Sequence, residues 1–400
     1  MLPNEKTNER HRKTTVDLAD EFYDFYLTPV ILVKLPHRYT DIRVMCSNSR
    51  GLTLSSVDSV TKKQVAIKYL NHTFESKDLA KHTYREIKLL LNSNHPNIIK
   101  MVNLLSPPVC TDAGINDVYI VVEKMHCTLT HVINMMRIGK NKMTHKHTSF
   151  LLYQILCAVK YLHDSRIMHR GSDLKPDSIG VNEKGCEVKL LDFGLSTKAT
   201  HDLKHSPYAV TRFYRAPEIV LGTNDPLTKA DVWSIGCILA EMIAKRVMFP
   251  GEHYFLQWNA IVKVLGKPTS KFLNRLDGTQ KEYALSAGPQ TGIAMEQLFP
   301  TETCAYNDDE QPLDLDNAKD FLKNVLTIDP DDRFTILQAL DHPYINYWHD
   351  ESELNVPPIQ KCDDVEVGNE EKEPLDLKDY KNKIEEELKK YRETHDIFKA

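Results

Sequence analysis

Four short strings constrain this chain more than anything else in it. They are Val65-Ala66-Ile67-Lys68, His169-Arg170, Asp192-Phe193-Gly194 and Ala216-Pro217-Glu218, in that order. Any one of them arises by chance; all four in sequence are hard to reach by accident. Lys68 closes an apolar run of strand-forming residues, so its ammonium stands at the end of a buried strand. Gly194 permits a turn directly after a carboxylate and an aromatic ring.

The surroundings of these strings divide the chain. Residues 1–20 read as a disordered leader. From Ile31 to Leu70 the chain is rich in Val, Ile, Leu and Thr, with breaks at Ser47–Gly51 and Thr61–Gln64, which predicts an antiparallel sheet. Leu79, Tyr84, Ile87, Leu90 and Leu91 then recur at helical spacing, and Val118–Val122 predicts a buried strand. Beyond it, helices are expected over Phe150–Leu162, Asp231–Ala244, Tyr254–Leu265, Ala318–Leu326 and Thr335–Leu340. The fold class is therefore α+β, with a small strand-rich part at 21–124 and a larger helical part at 125–347. A hinge is expected near Glu123–Leu129. In the extension at 348–400, Leu377, Tyr380, Ile384, Leu388 and Tyr391 share one helical face, expected to pack on the body of the protein.

Composition adds exclusions. A net charge of −5 gives no reason to expect direct nucleic-acid or membrane binding. The 8 cysteines show no Cys-x-x-Cys pair and read as free thiols of a reducing compartment. Met1–Thr15 is too polar for a signal peptide, and the apolar stretch around Phe25–Val33 is broken by Thr28 and Pro29. A monomer of the cytoplasm and nucleus is expected.

The four strings fall at the spacings of a protein kinase, and the chain resembles the mitogen-activated protein kinases, closest to the Jun N-terminal (stress-activated) group. Further strings carry that resemblance: Tyr84-Arg85-Glu86-Ile87, Asn97-Ile98-Ile99, Leu152-Tyr153-Gln154-Ile155-Leu156-Cys157, Val210-Thr211-Arg212-Phe213-Tyr214-Arg215, Phe249-Pro250-Gly251, Gln257-Trp258-Asn259 and His342-Pro343-Tyr344-Ile345-Asn346. It implies a bilobal fold and ATP and Mg2+ as cofactors. It also implies a proline-directed Ser/Thr kinase that works in a phosphorylation cascade. Lys68 is then expected on the phosphates, with Glu86 as its charge partner, and Asp192 and Ser178 on the metal. Asp173 is the expected base and Lys175 the neutralising cation. Gly51, Asn48, Ala66, Val122, Glu123 and Met125 are expected around the nucleotide. Ser206 and Tyr208 match the dual-phosphorylation site, whose modification would add roughly −3 to −4 charges. Arg85 and Arg170 match arginines that grip the first phosphate; Thr197 stands where a third is usual, beside Lys198. Thr211 and Arg212 match the segment that favours proline after the target residue. Asp350 and Glu353 match an acidic docking patch, and a solvated surface pair accounts for them equally well. The implied partners are an upstream dual-specificity MAP kinase kinase, protein substrates with basic docking motifs, and phosphatases.

Five departures bear on activity. In Cys46-Ser47-Asn48-Ser49-Arg50-Gly51 only the last glycine of the glycine-rich loop survives. Gly171-Ser172 inserts two residues between Arg170 and Asp173, about 7 Å of chain. Ser178 replaces an asparagine that would ligate a second metal. Gly180 removes bulk from the floor of the adenine pocket, and Val122 is small where a larger side chain guards its back, so bulky inhibitors are expected to fit. The alternative to an active kinase is a pseudokinase that retains the fold and docking surface.

Overall fold

The strands come first along the chain and the long helices later, as their periodicities require. The computed structural model describes residues 21–28, 31–48, 51–107, 115–169, 174–182, 184–198, 212–223, 225, 227–304, 311–359 and 375–395. Asn48, Asp173, Arg170, Ser206, Tyr208 and Thr211 were singled out above. All but Asn48 lie outside these residues, as does the Gly171-Ser172 insertion, and of Asn48 only the backbone is described.

Strands β1 (Phe22–Thr28) and β2 (Ile31–Pro36) form an antiparallel hairpin. A five-stranded sheet follows, in the order β3-β4-β5-β7-β6. Its members are β3 (Tyr39–Asn48), β4 (Gly51–Asp58), β5 (Gln64–Leu70), β6 (Met101–Leu105) and β7 (Val118–Glu123). The expected breaks fall where β3 gives way to β4 and where β4 gives way to β5. The second is organised by Asp58. Its carboxylate accepts from Arg38 Nε at 2.9 Å and Nη2 at 2.8 Å, from Val60 N at 3.0 Å and from Thr61 Oγ1 at 2.9 Å. Burial pushes this carboxyl up, but those hydrogen bonds outweigh it and hold the pKa down at about 2.

The chain divides into two compact units. The first comprises residues up to Glu75, Val102–Val122 and the chain from Lys381; the second comprises Ser76–Met101 and Glu123–Tyr380. The chain passes from the first unit to the second between Val122 and Glu123. Helix α1 (Lys77–Asn92) belongs to the second unit, although its sequence position is in the strand-rich part. The physical reason is the segment after it: Leu190 N donates to Asn97 O at 2.9 Å and Ile99 N to Leu190 O at 3.0 Å. Ser76 caps α1 by accepting from Leu79 N at 3.2 Å, and Asp78 complements the positive end of the helix.

The second unit is built on α2 (Leu129–Arg137), α3 (His145–Asp164), α4 (Pro217–Leu221), α5 (Leu227–Ala244) and α6 (Tyr254–Leu265). The shorter α7 (Ser270–Leu273), α8 (Gly278–Leu285), α9 (Met295–Leu298) and α10 (Thr301–Cys304) follow. Then come α11 (Leu315–Val325), α12 (Ile336–Leu340), α13 (Pro343–Asn346) and α14 (Glu351–Leu354), and the unit ends at Tyr380, in the first turn of α15 (Leu377–Thr394). Trp233, Ile235, Ile238, Leu239 and Met242 bury α5 on several faces, so it is a core helix and not an amphipathic one. Short strands β8 (Cys127–Thr128), β10 (Ile179–Asn182) and β11 (Glu187–Leu190) form a three-stranded sheet, and β9 (Ile167–Met168) pairs with β12 (Thr197–Lys198).

The division of the chain falls within α15. Tyr380, Ile384, Leu388 and Tyr391 of its apolar stripe are buried. In the first unit Tyr391 donates its hydroxyl to Val102 O at 3.2 Å. Among the described residues, no helix is long and apolar enough to cross a membrane.

Candidate active site

In the first unit the β-ladder sets the positions. Lys68 lies opposite Thr53, and strand alternation puts it on the same face as Ala66, which is buried. Val122 is buried near the end of β7. Asn48 and Gly51 face each other at the tip of the β3–β4 hairpin. Gly51 has φ +145°, and a Cβ added there would lie 1.9 Å from Tyr69 O. Only glycine can occupy this position. Cys46, which replaces the first glycine, is exposed, as are Val44 and Met45 beside it.

In the second unit Glu86 and Arg85 are buried on α1. Glu123 turns its carboxylate away from the backbone path: Oε1 accepts from Lys100 N at 2.8 Å and pairs with Lys189 Nζ at 3.1 Å. Met125 is buried against Gly180. A Cβ at Gly180 would lie 2.6 Å from Met125 Cγ and 2.9 Å from Leu191 Cδ2. The space expected from this glycine is therefore already filled by Met125 and Leu191.

Lys175 and Ser178 form one tight turn. Ser178 Oγ donates to Lys175 O at 2.9 Å and accepts from Lys175 N at 3.1 Å, and Leu191 N donates to Ser178 O at 2.9 Å. The hydroxyl is thereby committed to shaping the backbone. Asp192 follows directly, and its Oδ1 accepts from Gly194 N at 3.2 Å, which closes the turn that Gly194 was expected to allow. Phe193 is buried beside His169, with ring centroids 5.9 Å apart.

Sequence reading missed the framework under these residues. Asp231 of α5 accepts at Oδ2 from the His169 backbone N–H at 3.0 Å and pairs with His163 Nε2 at 2.9 Å. It thus fixes the chain at its entry to the catalytic loop. Glu218 forms a fully buried bidentate pair with Arg333, at 2.6 and 2.9 Å, and the guanidinium lies 5.1 Å from the Trp233 ring centroid. Ala216-Pro217-Glu218 was visible as a string, but nothing local marks Arg333 as its partner.

Of the peripheral candidates, Arg212 donates from Nη1 to Glu252 O at 3.3 Å, and its guanidinium lies 5.3 Å from the Tyr254 ring centroid. Asp350 caps α14, accepting from Ser352 N at 2.8 Å and Oγ at 2.6 Å, and these bonds lower its pKa. Glu353 lies on the same short helix and is partly exposed.

The donor set suits a hard divalent ion at Asp192: a carboxylate oriented by a backbone N–H, with further oxygen ligands to come from phosphate and water. Ser178 is less suited, since its oxygen already serves two backbone groups.

The protein kinase domain family model matches residues 39–345, and by class the chain is a protein kinase. Within that class its relatives are stress-activated kinases. It is 39% identical over 354 residues to "Stress-activated protein kinase JNK" of Suberites domuncula, covering 88% of this chain and 94% of that protein. It is 38% identical over 388 residues to "Stress-activated protein kinase jnk-1" of Caenorhabditis elegans, covering 96% of this chain and 80% of that protein. The chain therefore belongs to the MAP kinase family, in its JNK-like stress-activated group. Kinases of this class use ATP and a divalent metal.

Proposed function

We propose that the protein phosphorylates Ser-Pro and Thr-Pro sites of other proteins at the end of a stress-activated cascade. The observation that carries this reading is Asp231, which holds both His163 and the His169 backbone and so anchors the catalytic loop. Lys68 would hold the phosphates, Glu86 would serve as its charge partner, and Asp192 would hold Mg2+. Asp173 would take the hydroxyl proton of the substrate while Lys175 neutralises the moving phosphoryl group. Bound ATP supplies the group transferred.

Activation is assigned to an upstream dual-specificity kinase acting on Ser206 and Tyr208, with Arg85 and Arg170 receiving the first phosphate. Basic docking segments would bind at Asp350 and Glu353, and Thr211 with Arg212 would set the preference for proline. The protein would work as a monomer in the cytoplasm and nucleus, with phosphatases reversing its activation. A second reading, a pseudokinase that binds partners but transfers little phosphate, draws support from Ser178, whose hydroxyl is committed to its own turn.

Transfer of phosphate to a Thr-Pro peptide, measured after phosphorylation of Ser206 and Tyr208, separates the two. Turnover is expected in the wild type. A protein that binds nucleotide and Mg2+ but shows no turnover would establish the second reading. Asp192→Asn should abolish the Mg2+-dependent thermal shift with nucleotide; an unchanged shift would remove Asp192 from the metal.

A further inference from the structure

Lys189 has no role in the functional reading above, yet it is nearly buried and its ammonium meets three groups from separate segments. On β11, it donates to Pro96 O at 2.8 Å, pairs with Glu123 Oε1 at 3.1 Å and with Glu187 Oε1 at 3.3 Å. Glu123 is the residue at which the chain enters the second unit. Its Oε1 also accepts from Lys100 N at 2.8 Å, and its own N–H donates to Lys100 O at 3.1 Å.

The far side of this network is equally fixed. Asn97 Nδ2 donates to Gln154 Oε1 at 3.1 Å and to Val188 O at 3.0 Å, and Asn94 N donates to Tyr161 OH at 3.1 Å. The segment 94–100 is therefore bolted to α3 and β11. Lys189 then connects this immobile segment to the carboxylate of Glu123.

We propose that Lys189 is a positioning residue for the nucleotide, acting through Glu123. The proposal rests on the reading that Glu123 and Met125 border the adenine. Their contribution to binding is then backbone geometry, because the Glu123 carboxylate is already engaged by Lys100 and Lys189. A backbone held in its binding conformation before the ligand arrives loses less freedom on binding. Lys189 supplies that restraint. Glu187 touches the same ammonium but not Glu123; it accepts instead from Asn182 Nδ2 at 2.7 Å, and Asn182 Oδ1 accepts from His126 N at 2.9 Å.

The test uses the full chain with Mg2+ and a non-hydrolysable ATP analogue, by calorimetry, and backbone hydrogen exchange without nucleotide. Lys189→Met should weaken analogue binding about fivefold and speed exchange at the Lys100 and Glu123 amides. Lys189→Arg should restore both, since it keeps a donor for Glu123 and Pro96. Glu187→Gln should change both by less than Lys189→Met, since the Lys189–Glu123 pair is kept. Thermal melting of each variant tells a lost fold from a loosened hinge. Should Lys189→Met fail to fold, Glu123→Leu, which removes the acceptor, decides, with the same fivefold loss expected. Unchanged affinity in the folded variants overturns the proposal, and so does an equal loss in Glu187→Gln. If the wild type binds no analogue, the nucleotide reading fails and the proposal with it; faster exchange in Lys189→Met would then show only that Lys189 anchors Glu123.

Discussion

The framework around α5 and the positions expected to face the nucleotide differ in how they accommodate change. In the framework, Glu218 and Arg333 come from positions 115 residues apart and are fully buried as a pair. Neither can be altered alone without leaving a charge in the core. The positions expected to face the nucleotide depart from the family strings and are closely surrounded by their neighbours. Met125 and Leu191 fill the space over Gly180, and Ser178 bonds to the turn it belongs to. We therefore expect substitution to be tolerated where neighbours can refill the site, and to be costly where a buried charge depends on a distant partner.

The sharpest way to break this contrast is Glu218→Gln. It strands the Arg333 guanidinium and should cost about 3–5 kcal/mol, read from urea denaturation. A cost comparable to that of an exposed substitution would mean the framework is as tolerant as the nucleotide side.

Acid should also act on the framework side. Burial holds the imidazole of His95 down at about 4, partly offset by a hydrogen bond with the Glu353 backbone, and burial likewise holds His145 down at about 4. The unfolded chain takes up these protons from the ordinary value of 6.5. Each neutral histidine therefore contributes stability that is present above pH 6.5 and is lost as the pH falls towards 4. The expected loss is about 3 kcal/mol per histidine. His145→Gln should flatten the stability profile over this range by about that amount. A profile identical to wild type would show that His145 is protonated without penalty.

On the nucleotide side, deleting Gly171-Ser172 sharpens the comparison. Misplacement of a base by about 1 Å costs about a hundredfold in rate, so the deletion should raise turnover by up to that factor in steady-state assays. Equal or lower turnover would place the insertion among the changes the chain has already absorbed.

The smallest effect is expected from Tyr391→Phe, which removes only the hydrogen bond to Val102 O. A loss of about 1 kcal/mol in thermal or urea denaturation is expected, with activity retained. A larger loss would make the docking of α15 as intolerant as the framework.

Periodicity makes much of the fold legible in the sequence. The helix expected at Tyr254–Leu265 has those same bounds, and the stripe from Tyr380 to Tyr391 is buried. The β1–β2 hairpin was missed, because Thr28 and Pro29 read as an interruption of one apolar run. Within the candidate site, motif strings located Lys68, Glu86 and Asp192, but not what fixes them. Asp231 meets His163 and His169 across more than 60 residues of chain. The Lys189–Glu123 link likewise joins strands of two different sheets, β11 and β7. Local pattern reports which residues lie on an element; partners distant in sequence are fixed by packing alone.

The geometry at Gly51 has a consequence for how lineages of such chains are read. A side chain there would strike the carbonyl of Tyr69 whether or not any ligand is ever bound. Purifying selection on this glycine would persist in a descendant that had lost phosphoryl transfer entirely. Its presence testifies to an intact hairpin, while Cys46 and Asn48, where the family pattern has glycines, carry no such constraint from Tyr69.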